Sequence, residues 1–93
     1  MKLVFGDLSS ISATSKEGLA YAKMQKRTGV SLCSHDGVAV YQSKHYTVVG
    51  IVTADADIVL GIAKKEDVDV FDAFHGLCIA WGKALRNYRR WEL

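Results

Sequence analysis

Hydrophobic side chains recur every three or four positions from about residue 69 to residue 90. This spacing predicts an α-helix with one buried face. The helix should begin at Asp69 or Asp72 and extend to about Arg90. Its predicted buried face comprises Val70, Phe71, Phe74, Leu77, Cys78, Trp81, Leu85 and Tyr88. Burial of such side chains contributes roughly 1.5–3 kcal/mol each, so this helix should be the chief anchor of the fold.

An earlier helix is predicted over residues 15–27. The segment Thr14-Ser15-Lys16-Glu17 has the form of a capping box, in which the Thr14 hydroxyl and the Glu17 carboxylate satisfy amide donors of the first turn. Gly29 is placed to end the helix.

Between the helices the hydrophobic period changes to two, which is typical of strands. A short strand is also expected at residues 2–5. Residues 30–34 and 38–42 flank Asp36-Gly37, a dipeptide that favours a hairpin turn.

A second hairpin is predicted from arms at residues 45–53 and 58–64, joined by the turn at 54–57. The predicted order is therefore β-α-β-β-β-β-α. It describes an α+β fold with an antiparallel or mixed sheet of four to five strands and two helices on one face. A chain of 93 residues has material for one core, so residues 1–93 should form a single domain.

Composition narrows the class of protein. Hydrophobic residues make up 49% of the chain and charged residues 24%, which is typical of a globular domain rather than a disordered or membrane protein. Asp7 and the following serines interrupt the N-terminal apolar stretch before it could form a signal peptide. We therefore expect a cytoplasmic protein, and Cys33 and Cys78 are expected to be buried free thiols.

Catalytic and metal-binding motifs are weak in this sequence. Cysteines, serines and the histidines His35, His45 and His75 are present, but none lies in a recognised nucleophile arrangement, so we expect a binding protein rather than an enzyme. Metal-ligand spacing is missing around Cys33, and Asp55-Ala56-Asp57 is expected to solvate a turn rather than hold a cation. No cofactor is predicted.

The C-terminal helix also carries a cationic face. His75, Ile79, Gly82, Lys83, Arg86 and Arg90 share one side at helical spacing, and Arg89 lies beside them. Because guanidinium groups grip phosphate in a bidentate way, this face is a candidate anion site. The alternative is that these cations only offset the helix dipole and solvate an exposed surface.

Gly76 and Gly82 each cost about 1 kcal/mol relative to alanine within a helix, which indicates that another group approaches closely there. The sheet, the helix of another subunit and a ligand are all candidates. Tyr88 and Trp91 are expected to seal a contact between subunits, so we expect a homo-oligomer.

Residues 61–86 resemble a C-terminal element of small bacteriophage proteins, in which a strand ending in Gly-hydrophobic-Ala leads through an acidic turn to Phe-Asp and a helix. The matching residues are Gly61, Ile62, Ala63, Asp67, Phe71, Asp72, Gly76, Ala80, Lys83 and Ala84. The chain departs from this element in having no proline in the acidic turn and in carrying Lys83 where arginine is more usual.

Proteins with this element include phage anti-Thoeris sponges, which are oligomers that sequester cyclic nucleotide immune signals. The resemblance implies a ligand site at Lys83 and Arg86, with Phe71 as a stacking partner, in the cytoplasm of a host cell. Two alternatives stay open. One is a protein inhibitor of a host defence or replication protein, and the other is a nucleic-acid-binding module at the basic helix end.

Overall fold

The computed structural model describes residues 2–7, 11–12, 14–33, 36–43, 45–53, 55–64 and 73–92. These residues form two helices and a four-stranded sheet. In chain order the elements are β1 (Lys2–Asp7), α1 (Lys16–Thr28), β2 (Gly37–Gln42), β3 (Tyr46–Val52), β4 (Ile58–Lys64) and α2 (Ala73–Glu92).

The sheet is antiparallel throughout, with the strands in the order β1-β2-β3-β4. The predicted α+β class, with an antiparallel sheet and two helices, is confirmed. The predicted hairpin between β3 and β4 is also present, and Thr53 closes it by bonding through its amide to the Asp57 carbonyl. Asp55 is exposed in that turn.

The predicted strand at residues 30–34 is wrong, since residues 30–33 form no strand. Their amides bond to side chains instead: the Leu32 amide donates to the Tyr21 hydroxyl at 2.9 Å, and the Cys33 amide to Asp36 Oδ2 at 3.0 Å. The Asp36-Gly37 hairpin is therefore wrong as well. Gly37 is the first residue of β2. This strand pairs with β3 on one side and with β1 on the other.

Helix α1 begins one residue later than the capping-box prediction implied. Ser15, rather than Thr14, is the N-cap, and its side-chain oxygen accepts from the Gly18 amide at 3.1 Å. The predicted C-terminal signal is confirmed: Gly29 has a φ of 72° and donates its amide to the Gln25 carbonyl. Glycine adopts this left-handed conformation without steric cost.

Alternate residues of β2, β3 and β4 form a buried inner face against the helices. Leu77, Trp81 and Leu85 of α2 are fully buried there, as the helical period predicted. Val70 and Phe71, assigned to the same predicted face, lie outside the described residues. Strand residues of the inner face include Val38, Val40, Val49, Ile51 and Val59.

The opposite side of the sheet, which we call the open face, is also apolar. Ile58, Leu60 and Ile62 of β4 are 65%, 46% and 46% exposed. The described helices therefore leave this side uncovered. Among the described side chains, the large ones of the open face belong to Tyr41, Tyr46, Val48, Val52, Ile58, Leu60 and Ile62.

Gly61 sets the distance between β4 and α2. A Cβ atom at this position would overlap the Ala80 carbonyl oxygen and the Ala84 amide nitrogen, and would lie 2.9 Å from Ala84 Cα. The strand and the helix backbone therefore touch directly. The close approach predicted at Gly82 involves α1, because a Cβ there would lie 2.6 Å from Met24 Cε.

A buried polar contact fixes the segment before β2 to the end of α2. Tyr88 donates its hydroxyl to Asp36 Oδ2 at 2.9 Å, and both residues are buried. The predicted role of Tyr88 in a subunit contact is therefore wrong, and the side chain of Trp91 lies outside the described residues. Cys78 is buried as predicted, whereas Cys33 is exposed, because residues 30–33 do not join the sheet.

Neither described helix is long and apolar enough to span a bilayer.

Candidate anion-binding groove

A groove of about 370 Å³ runs between the outer side of α2 and the edge strand β4. Its size lies at the lower end of the range of small-molecule sites, roughly 300–1,000 Å³. Four polar side chains of α2 line one wall, and the backbone and side chains of β4 line the other. The lining residues are Leu60, Gly61, Ile62, Lys83, Arg86, Asn87 and Arg90.

The position of the groove follows from two local features. Lys83, Arg86, Asn87 and Arg90 follow the i, i+3, i+4, i+7 spacing of one helix face, so they form one row along the helix. The direct backbone contact at Gly61 brings that row within reach of the edge strand.

Two of these side chains bond to the edge of the sheet. Lys83 Nζ donates to the Ile62 carbonyl at 3.0 Å, and Asn87 Nδ2 donates to the Leu60 carbonyl at 2.8 Å. Side chains of α2 reach these carbonyls at the edge of the sheet, so the carbonyls point away from β3. Since the N–H and C=O groups of one strand residue point the same way, the Leu60 and Ile62 amides also face this edge.

The described side chains that line the groove carry a net positive charge. Lys83, Arg86 and Arg90 are exposed, and no acidic residue is among the described residues that line it. The ammonium of Lys83 has three N–H donors, one of which bonds to the Ile62 carbonyl. The guanidinium groups of Arg86 and Arg90 have five N–H donors each. The groove can therefore offer several charged donors to one anion.

The structure brings together three of the predicted ligand residues: Lys83, Arg86 and Arg90. Arg89 is exposed but does not line the groove. Gly82 faces α1, and Arg89 follows it by two helical turns, so Arg89 lies on that side of α2. His75 is exposed on the same side of the helix as Lys83, but eight residues earlier, which is about 12 Å along the axis. Phe71 lies outside the described residues.

Asn87 and the backbone of β4 were missed as candidate residues. The position of Asn87, four residues after Lys83, was a usable signal for its place in the row. The participation of β4 could not be read from local sequence, because it depends on which strand ends the sheet and how closely α2 approaches it.

Together the fold and the groove define a small α+β domain with a cationic site between a helix and an edge strand. Comparison with protein-family models, with curated proteins and with solved structures found no match.

Proposed function

We propose that this protein binds and sequesters a phosphate-bearing small ligand, such as a cyclic nucleotide immune signal, in the groove between α2 and β4. The observation that carries the proposal is the convergence of Lys83, Arg86 and Arg90 on one concave surface whose described lining has no acidic residue. The resemblance of residues 61–86 to phage sponge proteins supports the same class of ligand.

Phosphate is the anion that best fits these donors. Arginine presents a planar fork that matches two phosphate oxygens, and lysine adds a compact charge beside it. Leu60 and Ile62 supply apolar surface for a sugar or a base next to the charged row. The volume of the groove favours a ligand of nucleotide size over an extended polymer.

Sequestration rather than turnover is supported by the chemistry of the described lining. Lysine, arginine, asparagine and aliphatic side chains line the groove, and these bind and orient a phosphate group. None of the lining residues described is a serine, cysteine, histidine or carboxylate, which are the usual nucleophiles and general bases of phosphoester chemistry.

Isothermal titration calorimetry with a panel of cyclic oligonucleotides and cyclic ADP-ribose isomers tests the proposal. At least one of these compounds should bind with measurable heat. Arg86→Ala and Arg90→Ala should each weaken binding roughly 10- to 150-fold, because a hydrogen bond to a charged group contributes about 1.5–3 kcal/mol. Arg89→Ala is the matched control and should leave the affinity unchanged, since it removes an equal charge outside the groove.

Two results would count against the proposal: an absence of heat from the whole panel, or an equal loss of affinity in all three variants. An equal loss would indicate attraction to the net charge of the helix end. Binding to duplex DNA with a steep salt dependence, a slope of roughly −0.9 per phosphate contact, would favour the nucleic-acid alternative instead.

A further inference from the structure

Asn87 differs from the other polar side chains of the groove. Lys83, Arg86 and Arg90 have only hydrogen-bond donors, whereas the carboxamide of Asn87 has a donor, Nδ2, and an acceptor, Oδ1. Among the described side chains that line the groove, Oδ1 is therefore the only atom that accepts hydrogen bonds. Attraction of an anion does not explain an acceptor at this place.

The edge of the sheet fixes the orientation of this carboxamide. Nδ2 of Asn87 donates to the Leu60 carbonyl at 2.8 Å. Because a carbonyl oxygen only accepts, the end of the amide group that faces Leu60 must be the nitrogen. Oδ1 lies at the other end of the group, and none of the residues that the structure describes donates a hydrogen bond to it. Since Asn87 is exposed, Oδ1 is open to a ligand.

Asn87 lies where the row of cations meets the apolar wall of the groove. Lys83 precedes it by four residues and Arg90 follows it by three, which is roughly 5 Å along the helix axis in each direction. The bond to Leu60 holds the carboxamide against β4, where Leu60 and Ile62 expose apolar side chains. A phosphate held by the cations therefore leaves the rest of its ligand beside Asn87 and this apolar wall.

We infer that Asn87 determines the specificity of the groove, and that the ligand is a nucleotide that donates a hydrogen bond to Asn87 Oδ1 from an amino group of its base or from its ribose 2′-hydroxyl. The inference rests on the proposed function, because it requires that the cations hold a phosphate.

The physical reason is that cations alone discriminate poorly between phosphates. Lys83, Arg86 and Arg90 would attract inorganic phosphate and nucleic-acid backbones as well as a nucleotide. A ligand that has only acceptor oxygens would place them against the lone pairs of Asn87 Oδ1, which is unfavourable. A ligand with a donor at that point gains a hydrogen bond instead. The acceptor therefore favours a nucleotide over a bare phosphate.

Calorimetric titration with matched nucleotides tests the inference. Cyclic AMP and cyclic GMP are each compared with the 2′-deoxy form, which lacks the hydroxyl. They are also compared with purine riboside cyclic monophosphate and cyclic IMP, which lack the amino group. The unaltered protein should bind one parent nucleotide roughly 3- to 10-fold more tightly than one of its analogues, the usual effect of one uncharged hydrogen bond. The analogue that binds more weakly identifies the donor as the base or the ribose.

Asn87→Leu replaces the carboxamide by an apolar side chain of similar size. It should bring the ratio of the two dissociation constants to about one, because neither ligand then has an acceptor to bond. Arg86→Ala is the matched control within the groove, and it should weaken the parent and the analogue alike. Circular dichroism checks that both variants fold. In the unaltered protein, the NMR signals of the Asn87 side-chain amide should shift further with the parent nucleotide than with the weaker analogue.

Equal binding of the parents and their analogues would overturn the inference, as would a ratio that Asn87→Leu leaves unchanged. Binding of inorganic pyrophosphate as tightly as either cyclic nucleotide would also overturn it. In each of these cases the groove remains a phosphate site if Arg86→Ala still weakens binding. The proposed function fails separately, when neither these compounds nor the cyclic oligonucleotides and cyclic ADP-ribose isomers give any heat.

Discussion

Substitution of Gly61 by alanine should be among the most damaging single changes in this protein. The added methyl group would overlap the Ala80 carbonyl and the Ala84 amide, which are backbone atoms of α2, and would come within 2.9 Å of Ala84 Cα. Carbon atoms in contact normally lie about 3.5–4.0 Å apart. The helix and the strand must therefore separate, because no side-chain rotation can relieve the overlap.

The cost follows from what the separation disturbs. Helix α2 carries Trp81, Leu77 and Leu85 in the core, and all three are fully buried. Overpacking typically costs about 1–3 kcal/mol, and we expect about 3 kcal/mol here because the obstacle is backbone. A domain of this length has roughly 5–14 kcal/mol of stability in total. At about 4–8 °C per kcal/mol, the Tm should fall by roughly 12–24 °C.

Gly82→Ala provides the comparison within the same helix. The methyl group there would meet Met24 Cε at 2.6 Å, and this atom is the end of a flexible side chain that can turn away. The gain in helix propensity, about 1 kcal/mol, offsets the repacking, so the net change should stay within about 1 kcal/mol. Urea denaturation followed by circular dichroism would measure both variants. Equal stability of Gly61→Ala and Gly82→Ala would refute the backbone contact.

Two further substitutions test other parts of the fold. Ala56, in the turn between β3 and β4, has a φ of 65°, so Ala56→Gly should raise the free energy of unfolding by about 0.5–1 kcal/mol, and an unchanged or lower thermal midpoint would contradict this. Tyr88→Phe removes the 2.9 Å bond to the buried Asp36 and should cost about 1–3 kcal/mol by urea denaturation, whereas an unaltered midpoint would show that the hydroxyl contributes nothing.

Local patterns predicted the elements that depend on neighbours in sequence. The period of α2 placed Leu77, Trp81 and Leu85 inside, because a helix repeats its faces every three or four residues whatever it packs against. Gly29 ended α1 for an equally local reason, since its left-handed conformation is accessible to glycine. The second hairpin was predicted because its arms are close in sequence.

Where two local signals competed, as at residues 30–34, the predicted structure was wrong. Residues 30–33 have the alternation of a strand, but the Tyr21 hydroxyl and the Asp36 carboxyl take the amides of Leu32 and Cys33. The strand in that place beside β2 is β1 instead, and even at the nearest pair, Asp7 and Gly37, the two strands are 30 residues apart in sequence. Asp36 looked like a turn residue, but it is buried and accepts a hydrogen bond from Tyr88 at the end of α2.

The row of cations on α2 was determined by the sequence itself, because helical spacing alone aligns Lys83, Arg86 and Arg90. The tertiary structure decided that this row faces an edge strand. Gly61 lets the two backbones touch, and Lys83 and Asn87 then reach carbonyls of β4. The apolar open face was also decided at this level, since alternation defines two sides of a strand but only packing determines which side α2 covers.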